Sequence, residues 1–164
     1  GKFWVVFLKS ILLPLYLSEE KSSSLKKDLL LFTHPYFKGE KQMPEYKKLV
    51  INAGPGGWGG PITVEPKEGR SVIASITGGG IHPLAQKIAE LTGGEAKDAF
   101  RGGVPFDQIA CAIIDCGGTA RVGVYPMKKV PTVDIYPTKP AGPLFRFITP
   151  EYFVSGVRVE DLGK

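Results

Sequence analysis

The sequence is poor in cysteine and histidine, with two of each in 164 residues. Two cysteines exclude the disulfide framework of a small secreted domain. With two histidines they supply too few strong ligands for a zinc site, so neither a metal nor a cofactor is expected. Cys111 and Cys116 stand at an odd offset. On one strand that sends their side chains to opposite faces and keeps them from pairing. A reducing cytoplasm suits such a chain best. No apolar run reaches the roughly 20 residues that span a bilayer. The stretch 3–17 is broken by Lys9 and Pro14, and Ser18-Glu19-Glu20 follows where a secretory signal would have a small-residue cleavage site. The net charge of +5 is not gathered into a basic face, so nucleic acid is not an expected partner. There is no internal repeat.

Glycine (21) and proline (14) are plentiful, which implies many turns and short elements. The length suits one domain. Residues 1–42 differ in character from the rest. Lys38-Gly39-Glu40-Lys41-Gln42 can be encoded by a purine-rich run holding a bacterial ribosome-binding sequence just ahead of Met43. The expectation is that Met43 is the true start, that 1–42 is translated upstream DNA, and that the domain occupies 43–164. Patterning there predicts strands at 46–52, 62–65, 72–77, 109–114 and 132–136. A helix is expected over 83–92, opened by Pro83 and stopped by Gly93-Gly94, and a second short helix over 95–101. Residues 122–125 read as a return strand, and 145–148 and 152–157 as extended pieces. Connections after residue 105 look too short for helical crossovers. The fold expected is therefore α+β (or α/β): one domain with a mixed, mostly antiparallel sheet of short strands and one or two packed helices.

The turn cluster Gly54-Pro55-Gly56-Gly57-Trp58-Gly59-Gly60-Pro61 follows a strand but is no nucleotide-binding loop. No Gly-Lys-Ser/Thr follows it, and a strand rather than a helix comes next. Trp58 is either a packing plug or an exposed partner-binding aromatic, and packing is the commoner fate. His82, at the helix start, is a capping position before it is a phosphohistidine.

The chemistry gathers at Ile113-Ile114-Asp115-Cys116-Gly117-Gly118-Thr119-Ala120-Arg121. A buried strand fixes the Cys116 sulfur at its end. Gly117 and Gly118 let backbone N–H groups turn inward as an anion-binding nest. Thr119 adds a hydroxyl, and Arg121 a planar fork that matches phosphate oxygens. Such surroundings also lower a thiol pKa, and the thiolate is the nucleophile. Lys128 and Lys129 close behind read as a second cationic ring or a landing patch for an acidic partner. On the residues alone, a strand end with an ordinary Gly-Gly turn and a structural cysteine is an equal reading. Cys111, within the apolar run, reads as a small buried hydrophobe.

The block from Ala112 to Arg121, with Gly123-Val124-Tyr125-Pro126 and Pro131-Thr132, closely resembles the enzyme IIB domain of the glucitol/sorbitol-specific phosphotransferase system. So do Gly56-Gly57-Trp58-Gly59-Gly60-Pro61, Gly142-Pro143-Leu144 and Tyr152-Phe153-Val154-Ser155-Gly156-Val157. The resemblance runs over 43–160. It implies an enzyme of the protein-phosphohistidine–sorbitol phosphotransferase type. Cys116 would take a phosphoryl group from phosphohistidine of the glucitol-specific IIA protein and pass it to sorbitol in the membrane IIC component. It also implies a cytoplasmic domain at the inner face of the cell membrane. Many relatives carry a second cysteine where this chain has Val122, which leaves Cys116 alone in the motif. Relatives fuse the B domain to part of the transporter, so the chain is expected to be a fragment or a split version. Two alternatives remain. A phosphatase-like enzyme also uses a cysteine, a nest and an arginine, but here four residues separate Cys116 from Arg121, one fewer than in that motif. The other is a non-catalytic sugar-binding or regulatory module built around Trp58.

Overall fold

The apolar run at the centre of the sequence forms a strand that is buried along its whole length, Ile109–Ile114. A strand hidden on both faces belongs inside a parallel sheet covered on both sides, and that is the architecture here. The computed structural model describes residues 43–116 and 120–164, with the backbone alone at 120 and 121. The expectations for residues 1–42 and for Gly117, Gly118 and Thr119 lie outside the described residues.

In chain order the elements are β1 (Leu49–Ile51), β2 (Ile62–Val64), β3 (Val72–Ile76), α1 (Pro83–Thr92), β4 (Glu95–Asp98), β5 (Ile109–Ile114), α2 (Val124–Met127), β6 (Thr132–Asp134) and β7 (Phe153–Ser155). β1 and β2 form a small antiparallel pair. The other five strands form one sheet in the order β4-β3-β5-β6-β7, and every neighbouring pair in it is parallel. The fold is α/β, and the expected mostly antiparallel sheet is corrected. Parallel neighbours need a crossover of a dozen or more residues, which residues 115–131 and 135–152 supply. These crossovers are built from one-turn pieces. They are the 3-10 turns Ala120–Gly123 and Phe145–Phe147 and the single-turn α2.

α1 forms as its sequence predicts. The His82 ring nitrogen Nδ1 accepts the Leu84 N–H at 3.1 Å, Pro83 opens the first turn, and Gly93 closes the helix in the left-handed region at φ 76°. Its buried stripe of Leu84, Ala85 and Ile88 packs with Ile73, Cys111, Ile113, Val133 and Val154 of the sheet and with Ile51, Ile62 and Val64 of the β1–β2 pair. Side chains alternate across a strand, so the other face carries Val72, Ala74, Ile109 and Ala112 and, toward the strand ends, Ile114, Val122, Ile148 and Phe153. The register slips between Val72 and Ile73, leaving Ala110 as an extra residue in β5. Ala110 and Cys111 therefore both join the α1 side.

Three further expectations are corrected. Residues 95–101 hold the edge strand β4, not a helix; its exposed Glu95 and Lys97 pair at 3.2 Å, and charge on an edge strand deters further pairing. Residues 122–125 turn helically and do not return as a strand, because the chain must cross the sheet face there with Val122 buried beneath it. Residues 145–148 wind as a 3-10 turn instead of extending.

The glycine cluster at 54–61 lies along the other sheet edge. Gly54 N–H donates to the Ser155 carbonyl, Gly60 N–H to the Phe153 carbonyl, and Ser155 N–H to the Trp58 carbonyl. Trp58 is half-buried, its ring 6.3 Å from that of Phe153, which is the packing role. Glycine is required because the backbones touch: a Cβ on Gly57 would overlap the Ser155 carbonyl oxygen. Gly57→Ala is expected to lower stability by about 1–3 kcal/mol, the scale of overpacking in a closed site, measured by denaturant unfolding. Gly69→Ala, where a Cβ meets nothing within 4 Å, separates crowding from backbone strain, because its φ of 79° leaves only the strain.

Candidate functional site

In an open parallel sheet, ligands bind beyond the carboxyl ends of the strands, at the point where successive connections leave in opposite directions. Here β3 connects outward to β4, while β5 connects the other way to β6. The switch point lies between β3 and β5, whose last pair is Ile76 with Ile114. Cys116 follows Ile114 by two residues and therefore stands at that point. It is half-buried, free, and packed against the cluster of Ile114, Val122, Ile148 and Phe153.

The loop leaving β3 is braced beside it. The Ser75 hydroxyl donates to the Gly80 carbonyl at 3.0 Å and accepts the His82 N–H at 3.0 Å. Past Cys116, Arg121 sits in the 3-10 turn Ala120–Gly123, within a few residues of the sulfur along the chain. Cys111 is fully buried on the α1 side, and burial pushes its thiol far above the ordinary range. It stays protonated and hidden, so it is no nucleophile.

Lys128 and Lys129 are not brought to Cys116. A parallel crossover must carry the chain back to the start of the next strand, and both lysines come at the end of that return. The Arg70 guanidinium bonds the Lys129 carbonyl at 3.4 Å and the Ile109 carbonyl at 2.9 Å, which ties Lys129 to the amino end of β5. The length of β5 separates it from the sulfur, roughly 15–20 Å at the usual strand rise. A second cationic ring around the phosphoryl group is therefore corrected. Lys128 instead lies 6.0 Å from the Phe106 ring centre.

The sequence reading missed Asp134. It is the last residue of β6, pairs with Ile114 and is fully buried. Its carboxylate accepts the Tyr136 N–H at 3.0 Å and the Thr138 hydroxyl at 2.9 Å. The Ser155 hydroxyl donates to the Thr138 carbonyl at 2.6 Å and accepts the Trp58 N–H at 2.8 Å, so one polar chain ties the ends of β6 and β7 to the glycine segment. The available signal was its position in the alternation: Val133 faces α1, so Asp134 shares the face of Ile114. Burial pushes its carboxyl up from 3.8 to about 6; the Thr138 and Tyr136 bonds oppose this and the nearby Asp115 charge adds to it. The folded state thus holds this proton more tightly than the unfolded chain. The resulting stabilisation is full below about pH 4 and is lost as pH rises through 6. Asp134→Asn keeps an acceptor for the Tyr136 N–H, and Thr138 can accept from its amide. Relative to the parent, the variant is expected to gain on the order of 1–3 kcal/mol between pH 4 and 7, read from unfolding curves across that range.

Among the described residues no helix is long and apolar enough to cross a membrane. No solved structure matches the chain. The family model described as the N-terminus of sorbitol phosphotransferase enzyme II matches residues 48–164. The chain is also 46% identical over 122 residues to a protein of Clostridium beijerinckii named the glucitol/sorbitol-specific EIIB component of a PTS system. That match covers 74% of this chain and 36% of the relative, so the chain spans about a third of the relative's length. With Cys116 at the switch point of a parallel sheet, this chain belongs to the family of sorbitol phosphotransferase enzyme II N-terminal domains.

Proposed function

We propose that residues 43–164 form a phosphoryl-carrying IIB domain in which Cys116 holds the group as phosphocysteine. The observation that carries the reading is Cys116 itself. It is a half-buried free thiol at the sheet's switch point, in a chain whose relative is named for glucitol and sorbitol. The Cys116 thiolate attacks the phosphorus of a phosphohistidine on the glucitol-specific IIA protein. An S–P bond forms, the P–N bond breaks, and the released imidazole takes up a proton. A hydroxyl of sorbitol, bound in the membrane IIC component, then attacks the same phosphorus. The S–P bond breaks, the thiolate leaves, and the sugar hydroxyl gives up its proton.

Such a transfer needs positioning and charge stabilisation more than covalent help. In this reading the Gly117 and Gly118 N–H groups, the Thr119 hydroxyl and the Arg121 guanidinium cradle the phosphate. Work beside IIC would keep the domain at the cytoplasmic face of the membrane. Lys128 and Lys129 stay outside the phosphate cradle and are left as candidates for a partner contact at the other end of the sheet.

Intact-mass analysis and peptide mapping test the reading. The full chain is incubated with phosphoenolpyruvate, the general phosphotransfer proteins and the IIA protein. A phosphoryl adduct on the Cys116 peptide is expected, dependent on IIA and lost in Cys116→Ser. No adduct, with IIA itself phosphorylated, overturns the reading. Turnover of an aryl phosphate would favour the phosphatase class instead.

A further inference from the structure

The edge of the sheet that carries Cys116 also carries exposed apolar side chains. Phe100 is 49% exposed, Tyr136 52% and Ile81 45%. All three lie in loops that leave the carboxyl ends of strands: Ile81 after β3, Phe100 after β4 and Tyr136 after β6. In a parallel sheet those ends share one side, the side where β5 delivers Cys116.

Two of these side chains are held by the same device. Asp98, the last residue of β4, accepts the Phe100 N–H at 3.0 Å, and Asp134, the last residue of β6, accepts the Tyr136 N–H at 3.0 Å. Each aspartate turns the chain two residues on and leaves an aromatic ring facing solvent. Phe100 also lies over Gly78, within 3.5 Å of where a Cβ there would sit. Gly78 stands two residues beyond Ile76, as Cys116 stands two beyond its partner Ile114. β4 and β6 are three strand spacings apart, about 14 Å, with the sulfur between them. Arg101 and Lys139, both exposed, follow the two aromatics.

We infer that Ile81, Phe100 and Tyr136 form the docking face for the phosphoryl-donor protein, with Arg101 and Lys139 meeting acidic residues at its rim. The inference rests on the carrier reading. A histidine-borne phosphoryl group must come within about 3–3.5 Å of the sulfur, and Cys116 is half-buried, so the donor backbone has to settle over the surrounding residues. Rigid aromatics lose little entropy on being covered, and aromatic residues are enriched at interface centres. The face is apolar with a cationic rim, which fits a donor surface that is apolar around its phosphohistidine and acidic beyond it.

The test is steady-state phosphorylation of the full chain at varied concentrations of phosphorylated IIA. Phe100→Asp and Tyr136→Asp are each expected to raise KM for the donor at least tenfold, with kcat within twofold and the melting temperature unchanged. Phe100→Tyr and Tyr136→Phe are expected to restore the parent KM. Lys67→Glu, in the exposed turn between β2 and β3, is expected to leave KM within twofold. Folded aspartate variants with unchanged KM overturn the inference, as does a KM increase seen only when Lys128 and Lys129 are changed to glutamate. If the aspartate variants fail to fold, oxidative footprinting of the parent decides: slower modification of Phe100 and Tyr136 with IIA present supports the face, and unchanged rates refute it. A parent that IIA does not phosphorylate brings down the carrier reading, and the same footprint then judges the docking face separately.

Discussion

Everything in this domain depends on burying β5 on both faces. Ile109, Ala110, Cys111, Ala112, Ile113 and Ile114 offer no polar side to water, so the strand is stable only with strands beside it and cover above and below. That requirement makes the sheet parallel. A parallel sheet in turn gathers all carboxyl strand ends at one side and all amino ends at the other. The position of Cys116 follows from the hydrophobicity of the strand that ends beside it.

The same constraint sorts the charged residues. Arg121 comes early in the crossover from β5 to β6 and Lys129 at its end, so the two lie on opposite sides of the sheet although they are close in sequence. Asp134 shows the reverse. It is remote from Cys116 in sequence, yet strand pairing brings it level with Ile114 on a common face. Its burial keeps a carboxyl group there that gains a proton more readily than a surface aspartate does.

Much of this was legible in the sequence where local chemistry was strong. α1 is bounded by Pro83 and Gly93 with Leu84 and Ile88 at helical spacing, and it forms where expected. β5 and the position of Cys116 after it were equally plain, as was the buried character of Cys111. The parallel topology was not, because its crossovers are 3-10 turns and one-turn helices too short to carry a periodic signal. β4 was hidden for a different reason: Glu95-Ala96-Lys97-Asp98 is polar on both sides, and only its pairing with β3 makes it a strand. The family was legible from ordered blocks such as Asp115-Cys116-Gly117-Gly118-Thr119, because turn residues at fixed positions are more specific than composition.

The two borders of the sheet have a consequence for how the domain joins other polypeptides. Backbone groups of β7 that an incoming strand would use are already engaged by the glycine segment, and β4 presents paired charges instead of an inviting ladder. Growth of the sheet by strand addition, whether from a second molecule or from an extended stretch of another protein, is therefore disfavoured on both sides. Contacts made through side chains on loops can instead form and release without threading or unzipping the fold.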